Sequence, residues 1–343
     1  MNPSAPSRSP ESVTDLVNAS ALPGQVRKIA LEEHFSTPGV LARGLVAKPT
    51  RNDAIFRDIE SRLADFGDGR LAAMDAAGID RSVLSLTTPG IQGEKDTATA
   101  IRLAQDTNDF LAREVQKQPL RYGGFAAVPT QDPAAAAAEA ERAVRQLGFK
   151  GVMVNGQTHG RYLDDPIYLP FWERLQDLDV PLYLHPGALS DSPAMFAGQP
   201  ALAGPVWAWT ADTAAHALRL IFSDLFERLP RLRVILGHMG EALPFLLWRI
   251  DDRHELDIGR PIAPEQRPSF YFRRNFAVTT SGVCDPLPVL HGLAALGQDN
   301  VLFSVDYPYQ DTRQAGDFLD RLAVGDTVRA GIASGNARRL LKL

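Results

Sequence analysis

Hydrophobic and polar positions along this chain alternate between two textures. Short apolar runs with the character of buried strands are separated by longer stretches in which apolar residues recur at helical spacing. The short runs predict eight strands: Val26 to Leu31, Arg81 to Leu86, Tyr122 to Ala127, Gly151 to Asn155, Leu182 to His185, Arg233 to Leu236, Phe276 to Thr280 and Val301 to Ser304. The stretches between them predict helices over Ser61 to Ala77, Thr97 to Gln118, Ala134 to Leu147, Ile167 to Leu178, Ala211 to Glu227 and Glu241 to His254. Gly78 and Gly148 provide helix stops. Two more helices, Gln314 to Leu322 and Thr327 to Leu340, close the chain, the second interrupted near Gly335-Asn336. An Arg-containing insertion with poor periodicity, Ser36 to Ile59, follows the first strand.

Strands alternating with helical crossovers imply a parallel sheet, and eight such units closing on themselves give a (β/α)8 barrel. A doubly wound open sheet would carry a glycine-rich phosphate loop after its first strand. Here that position reads Leu31-Glu32-Glu33-His34-Phe35. The expected organisation is a flexible tail over residues 1–25 and a single barrel domain over residues 26–343.

Composition narrows the function classes. A chain of 343 residues with 45% hydrophobic content can bury a barrel-sized core. The formal charge of −5, without a basic block, argues against a nucleic-acid partner. No apolar run is long enough to span a membrane, and the tail lacks the apolar core of a secretory signal. Cys284 is the single cysteine, which excludes an intramolecular disulfide and suits a reducing cytoplasm.

In a barrel of this kind the C-terminal strand ends carry the chemistry. The polar residues there are Glu32, His34, Asn155, His185, His238 and Asp306. Alternation along a strand puts Glu32 and His34 on one face and Glu33 on the other, pointing outward. Two carboxylates and two imidazoles make a nitrogen–oxygen donor set suited to Zn²⁺, Mn²⁺ or Fe²⁺, and Glu32, His34, His185 and Asp306 are the expected metal ligands. His238 and Glu241 open a loop-to-helix turn, where Glu241 is placed to orient His238 or to favour the helix dipole. Two-metal barrel hydrolases often use a lysine at the end of strand four. Here that position is Asn155, so one metal is expected.

The segments Ala30 to Phe35, Leu147 to Gly151, Val154-Asn155-Gly156, Leu182 to Pro186, Leu236 to Glu241, Trp248 to Asp251 and Asp306 to Tyr309 resemble the decarboxylase branch of the amidohydrolase superfamily. That branch includes the γ-resorcylate, 2,3-dihydroxybenzoate, 5-carboxyvanillate and aminocarboxymuconate semialdehyde decarboxylases. The Glu-Glu-His opening looks like the dihydroxybenzoate enzymes. Gly160 to Asp164, Thr280 to Val283 and Asp306 to Gln310 look more like 5-carboxyvanillate decarboxylase. The dihydroxybenzoate enzymes commonly carry Arg after the His-Pro pair, and this chain has Gly187.

The resemblance implies a Mn²⁺ or Zn²⁺ ion on Glu32, His34, His185 and Asp306, His238 as catalytic partner, Arg249 as a substrate contact, and a homodimer or homotetramer. The implied activity is non-oxidative decarboxylation of an ortho-hydroxy aromatic acid. Asp306 would protonate the ring carbon, with His238 and Glu241 assisting. Asn155, Phe35 and Tyr307 are the further expected substrate contacts, the two aromatics by stacking. Trp207, Trp209 and Tyr309 have less telling positions, and Arg51 or Arg57 could meet the substrate's charge. The alternatives are a metal-dependent hydrolase of an ester, lactone or amide, and a non-catalytic barrel with a structural metal.

Overall fold

The computed structural model describes residues 26–187, 189 and 196–343. The expected tail and much of the segment after His185-Pro186 lie outside the described residues. Among the described residues there are nine strand segments: β1 (Lys28–Phe35), β2 (Ile79–Leu86), β3 (Tyr122–Gly124), β4 (Ala126–Ala127), β5 (Val152–Asn155), β6 (Leu182–His185), β7 (Val234–Leu236), β8 (Phe276–Thr279) and β9 (Val301–Leu302). Neighbours pair in parallel, in the order β1-β2-β3 and β4 through β9. Segments β3 and β4 are halves of one strand that changes partner at Phe125. Phe125 N donates to Leu84 O on one side, and Ala126 N donates to Gly151 O on the other. The seam closes beyond β9, where Glu33 bridges Tyr307, His34 N donates to Tyr307 O at 2.7 Å and Asp306 N donates to Glu32 O at 3.1 Å. The ring therefore has eight strands, as the alternation of textures implies.

Two apolar layers hold it. Ile29, Leu31, Val83, Phe125, Met153, Tyr183, Ile235, Ala277 and Leu302 form an inner cluster, which Ala337 and Leu341 of the last helix join. Alternate positions, including Ala30, Leu84, Val154, Leu184, Leu236 and Val278, belong to the larger outer cluster with the helices.

The structure corrects the sequence reading in several places. Strand β1 runs on to Phe35, because the seam bonds of Glu32 and His34 extend it. The insertion is not irregular throughout. Helix Asp53–Leu63 starts at the Asn52 cap, whose side chain accepts from Ala54 N and Ile55 N. The expected helix over 61–77 therefore divides into Asp53–Leu63 and Asp68–Ala76, parted where Asp65 folds back to accept from Gly67 N and Arg70 N. Helix Ala208–Phe222 stops short of the expected end, and Asp224 at φ 57° precedes a separate turn, Leu225–Arg228. Helices Pro268–Asn275 and Pro286–Leu296, each opened by proline, are additional to the sequence reading. The last helix contains a π-turn over Gly331–Gly335. Just beyond it, the Asn336 side chain donates to Gln298 O and Val301 O, both at 2.7 Å.

Candidate metal centre and the cavity above it

Strand β1 carries Glu32 and His34 into the barrel mouth by means of a bulge. The pairing with β2 slips between Ala30 and Glu33. On the other side Leu31 N and Glu32 N both donate to Ser304 Oγ, at 2.9 and 2.6 Å. One extra residue reverses the phase of a strand. Ile29 and Leu31 face the inner layer below the bulge, and Glu32 and His34 face the mouth above it. Ala30 and Phe35 belong to the outer layer. Glu33 points away from the mouth, as alternation requires, yet it is 3% exposed rather than solvated. Its Oε1 accepts from Val305 N at 3.0 Å. Burial pushes its carboxyl up to about 8, against the opposing effect of the Val305 hydrogen bond and Arg70.

His185 ends β6, and Asp306 follows β9 with a left-handed φ of 77°. One donor atom from each of Glu32, His34, His185 and Asp306 lies within 4.8 Å of the other three. The hydrogen bonds around them leave donors aimed at a common centre. His185 Nδ1 lies 2.8 Å from Pro186 O, which only accepts, so that nitrogen carries the proton. The bare Nε2 then faces Glu32 Oε1 at 3.2 Å, two lone-pair bearers in direct opposition. His34 Nδ1 meets Ser85 Oγ, and its Nε2 sits 3.4 Å from Asp306 Oδ1. Both Glu32 Oε1 and His34 Nε2 are buried without a hydrogen-bond partner. Orphaned atoms of this kind at the centre of a nitrogen–oxygen donor set fit a divalent cation.

His238 and Glu241 lie beside this cluster on an unusual turn. His238, Met239, Gly240, Glu241 and Ala242 all have positive φ, from 49° to 79°. Four of the five are not glycine, so the turn is strained. It brings His238 Nδ1 to 2.7 Å from Glu241 Oε1. His238 Nε2 is 3.7 Å from both Glu32 Oε1 and Asp306 Oδ2. Glu241 precedes helix Leu243–Ile258 instead of starting it, so orientation of His238 accounts for it better than the helix dipole.

Charge is strongly coupled here. Burial opposes the charge on Glu32, but the surrounding imidazoles, His238 foremost, outweigh it and hold the carboxyl well below its usual range. Burial depresses His34, aided by His185 and opposed by Asp306. Burial also acts to depress His238, but Glu241, Glu32 and Asp306 overcome it and raise the imidazole well above its ordinary value. A bound cation would itself favour ionised carboxylates and neutral imidazoles.

A cavity of about 430 Å³ opens above, with His185, His238 and Asp306 in its lining and Ile55, Ile59, Trp209, Val283 and Tyr309 among its walls. Several expected substrate contacts are elsewhere. Phe35 is buried against Phe66, and Tyr307 is buried beneath the guanidinium of Arg70, 4.3 Å from its ring centroid. Each follows a mouth-facing residue, so alternation turns it to the outer layer. The aromatics that line the cavity are Trp209 and Tyr309. Asn155 is buried, with Nδ2 3.4 Å from Leu86 O, and is not in the cavity lining. Arg249, Arg51 and Arg57 are exposed and do not line it either. Gly187 has a steric reason: a Cβ there would lie 2.5 Å from Asn155 O.

The sequence reading missed the hydroxyl groups beneath Glu32, namely Tyr183, Thr279 and Ser281, and the bulge acceptor Ser304. Tyr183 had a signal, since it lies two residues before His185 and so shares its face. Among the described residues no helix is long and apolar enough to cross a membrane.

The amidohydrolase family profile matches residues 38–343. A gamma-resorcylate decarboxylase from Rhizobium sp. (strain MTP-10005) is 42% identical over 324 residues, covering 92% of this chain and 98% of that protein. The crystal structure of a dihydroxybenzoic acid decarboxylase from Polaromonas sp. JS666, with bound manganese and the inhibitor 2-nitroresorcinol, superposes with a TM-score of 0.85. It is 41% identical, covering 92% of this chain and 97% of that one. The 5-carboxyvanillate decarboxylase of Sphingomonas paucimobilis gives a TM-score of 0.84 at 37% identity, covering 92% and 99%.

Proposed function

This chain belongs to the amidohydrolase family, and from that premise we propose that it decarboxylates an ortho-hydroxy aromatic carboxylic acid of the dihydroxybenzoate or 5-carboxyvanillate type, releasing CO₂ without oxidation. The observation that carries this reading is the convergence of Glu32, His34, His185 and Asp306 within 4.8 Å beside an aromatic-walled cavity. Relatives that decarboxylate hydroxybenzoates, one of them with manganese bound, support it.

In this reading the four residues hold one divalent cation, Mn²⁺ or Zn²⁺. A bound cation would supply Lewis acidity toward the oxygens of an anionic substrate. The remaining chemistry belongs to the chain. Asp306 takes the phenolic proton as substrate binds and delivers it to the ring carbon bearing the carboxylate. The carbon–carbon bond to the carboxylate then breaks, its electron pair restores the aromatic ring, and CO₂ leaves. His238, oriented by Glu241 at 2.7 Å, is placed to stabilise the phenolate left after CO₂ departs and to pass it a second proton, drawn from solvent. Trp209 and Tyr309 flank the ring.

Helix Leu243–Ile258 presents Phe245 and Trp248, each 77% exposed, and Leu256 at 65%. This apolar face supports a homodimer or homotetramer, with the exposed Arg249 at the interface between copies. A lone cysteine and the absence of a spanning helix among the described residues suit a cytoplasmic enzyme.

Metal-loaded protein incubated with a panel of hydroxybenzoates and lactones tests the reaction. CO₂ release without O₂ uptake is expected from 2,6-dihydroxybenzoate or 5-carboxyvanillate. Ring opening of a lactone with no CO₂ from any acid would replace this reading with hydrolysis.

A further inference from the structure

The two carboxylate oxygens of Glu32 have different surroundings. Oε2 accepts hydrogen bonds from the hydroxyls of Tyr183 and Ser281. Oε1 has no hydrogen-bond partner and faces His185 Nε2 at 3.2 Å. Behind Oε2 the hydroxyls continue. Thr279 Oγ1 lies 2.8 Å from the Tyr183 oxygen and 2.9 Å from Ser281 Oγ. The backbone N–H of His238 also donates to Ser281 Oγ, at 3.1 Å.

Proton counting gives this network a direction. Each hydroxyl has one proton to donate. Those of Tyr183 and Ser281 go to Oε2, so the proton of Thr279 goes to one of their oxygens. Every donor in the chain therefore points toward Glu32, an arrangement that needs an acceptor-only carboxylate at its end. The backbone makes room for it: a Cβ on Gly237 would lie 2.6 Å from Glu32 Oε2 and 3.1 Å from Ser281 Oγ. Strands β1 and β6, the segment just after β8 and the His238 turn thus meet around a single oxygen.

We propose that Tyr183 and Ser281 are positioning residues that fasten Oε2 of Glu32 and so present Oε1 alone to the metal centre. The terminal torsion of a glutamate is broad, and nothing intrinsic fixes which oxygen faces the centre. Two hydroxyls on one oxygen remove that freedom before any cation arrives. Ser281 also ties the orientation of Glu32 to the turn that carries His238, so the donor and the catalytic imidazole move together. This inference rests on Glu32 being a metal donor, and it is silent on which acid is decarboxylated.

The experiment measures the Mn²⁺ dissociation constant of the metal-free full-length chain by calorimetry or water-proton relaxation. The variants are Tyr183→Phe, Ser281→Ala and the control Tyr122→Phe. Tyr122 also has a buried ring, and its hydroxyl donates to Phe66 O at 2.9 Å, outside the metal centre. Tyr183→Phe and Ser281→Ala are expected to weaken Mn²⁺ binding by about 10- to 100-fold, and Tyr122→Phe to lower stability while leaving the constant within about twofold. Wild-type affinity in both test variants overturns the proposal, as does an equal loss in the control. If Tyr183→Phe does not fold, Ser281→Ala decides alone. Because the readout is metal binding, a protein that binds Mn²⁺ but releases no CO₂ refutes the decarboxylase reading and leaves this one standing.

Discussion

From β4 to β9 the barrel wall is an unbroken parallel ladder, each strand hydrogen-bonded to the next through its main chain. The seam between β9 and β1 adds side chains to its main-chain bonds. There a serine hydroxyl receives two successive backbone N–H groups, and a glutamate carboxylate receives a third. Arg70 fastens His34 O from outside, at 2.7 Å, while lying over the Tyr307 ring. The ladder obeys alternation and supplies stiffness. The seam breaks alternation once, and that break turns Glu32 and His34 into the mouth opposite Asp306. Regular pairing carries His185 to the mouth, and the one irregular strand carries Glu32 and His34 there.

The strongest way to break this contrast is Glu32→Gln. It should lower both metal content per chain and kcat/KM at least about 100-fold. Retained metal would mean that the bulge does not aim β1 as described. Ser304→Ala probes the seam itself. It leaves two buried N–H groups without their acceptor, which should cost about 1–3 kcal/mol in denaturant unfolding and also weaken metal binding. Leu236→Ala in the outer layer of the ladder should cost about 2–5 kcal/mol with metal affinity preserved.

A smaller effect sharpens the comparison through pH. His216 is fully buried on helix Ala208–Phe222, and its Nε2 accepts from Leu163 N at 2.9 Å. Burial, with Arg219 adding, depresses its pKa to about 3. Between the unfolded value of about 6.5 and the folded value the unfolded chain binds the extra proton. The contribution is therefore fully present above pH 6.5 and lost as pH falls toward 3, by up to about 1.4 kcal/mol per pH unit. Unfolding at pH 7, 6 and 5 should show a steeper loss for wild type than for His216→Gln. Equal slopes would remove His216 as the cause. The smallest effect should come from Glu33→Gln. Glutamine keeps an oxygen for Val305 N, so metal content should match wild type and stability should shift by less than about 1 kcal/mol.

Much of this was legible in the sequence because it depended on periodicity. The parallel strands and the residues at their mouth ends follow from apolar spacing, and closure into a ring from the Glu-Glu-His that stands where an open sheet would carry a phosphate loop. The mouth-facing pair Glu32 and His34 was also legible, by applying alternation within Glu-Glu-His. What alternation could not show is the bulge, because a phase reversal depends on Ser304, a residue 272 positions away in sequence from Glu32. The same limit explains Phe35 and Tyr307. Proximity to a ligand in sequence suggested contact with substrate, whereas the strand turns each neighbour to the opposite face. Trp209 and Tyr309 reach the cavity through the three-dimensional arrangement of their loops and helix, which leaves no mark on spacing. Gly187 read only as a departure from relatives, and its cause, the close approach of the β5 and β6 ends, is a tertiary contact.

The run of left-handed residues from His238 to Ala242 has a bearing on engineering. Non-glycine residues in that conformation each cost about 1 kcal/mol or more, so the loop resembles a cocked spring held by its surroundings. Glycine at Met239 or Ala242 would ease that tension, and a screen for thermal tolerance would be drawn to those two codons. Such winners would gain heat resistance by relaxing the element that fixes the imidazole, and turnover should fall as tolerance rises. Durability in this molecule is better sought in the outer apolar layer of the ladder, at positions such as Leu184, Leu236 and Val278 that face the helices and not the mouth.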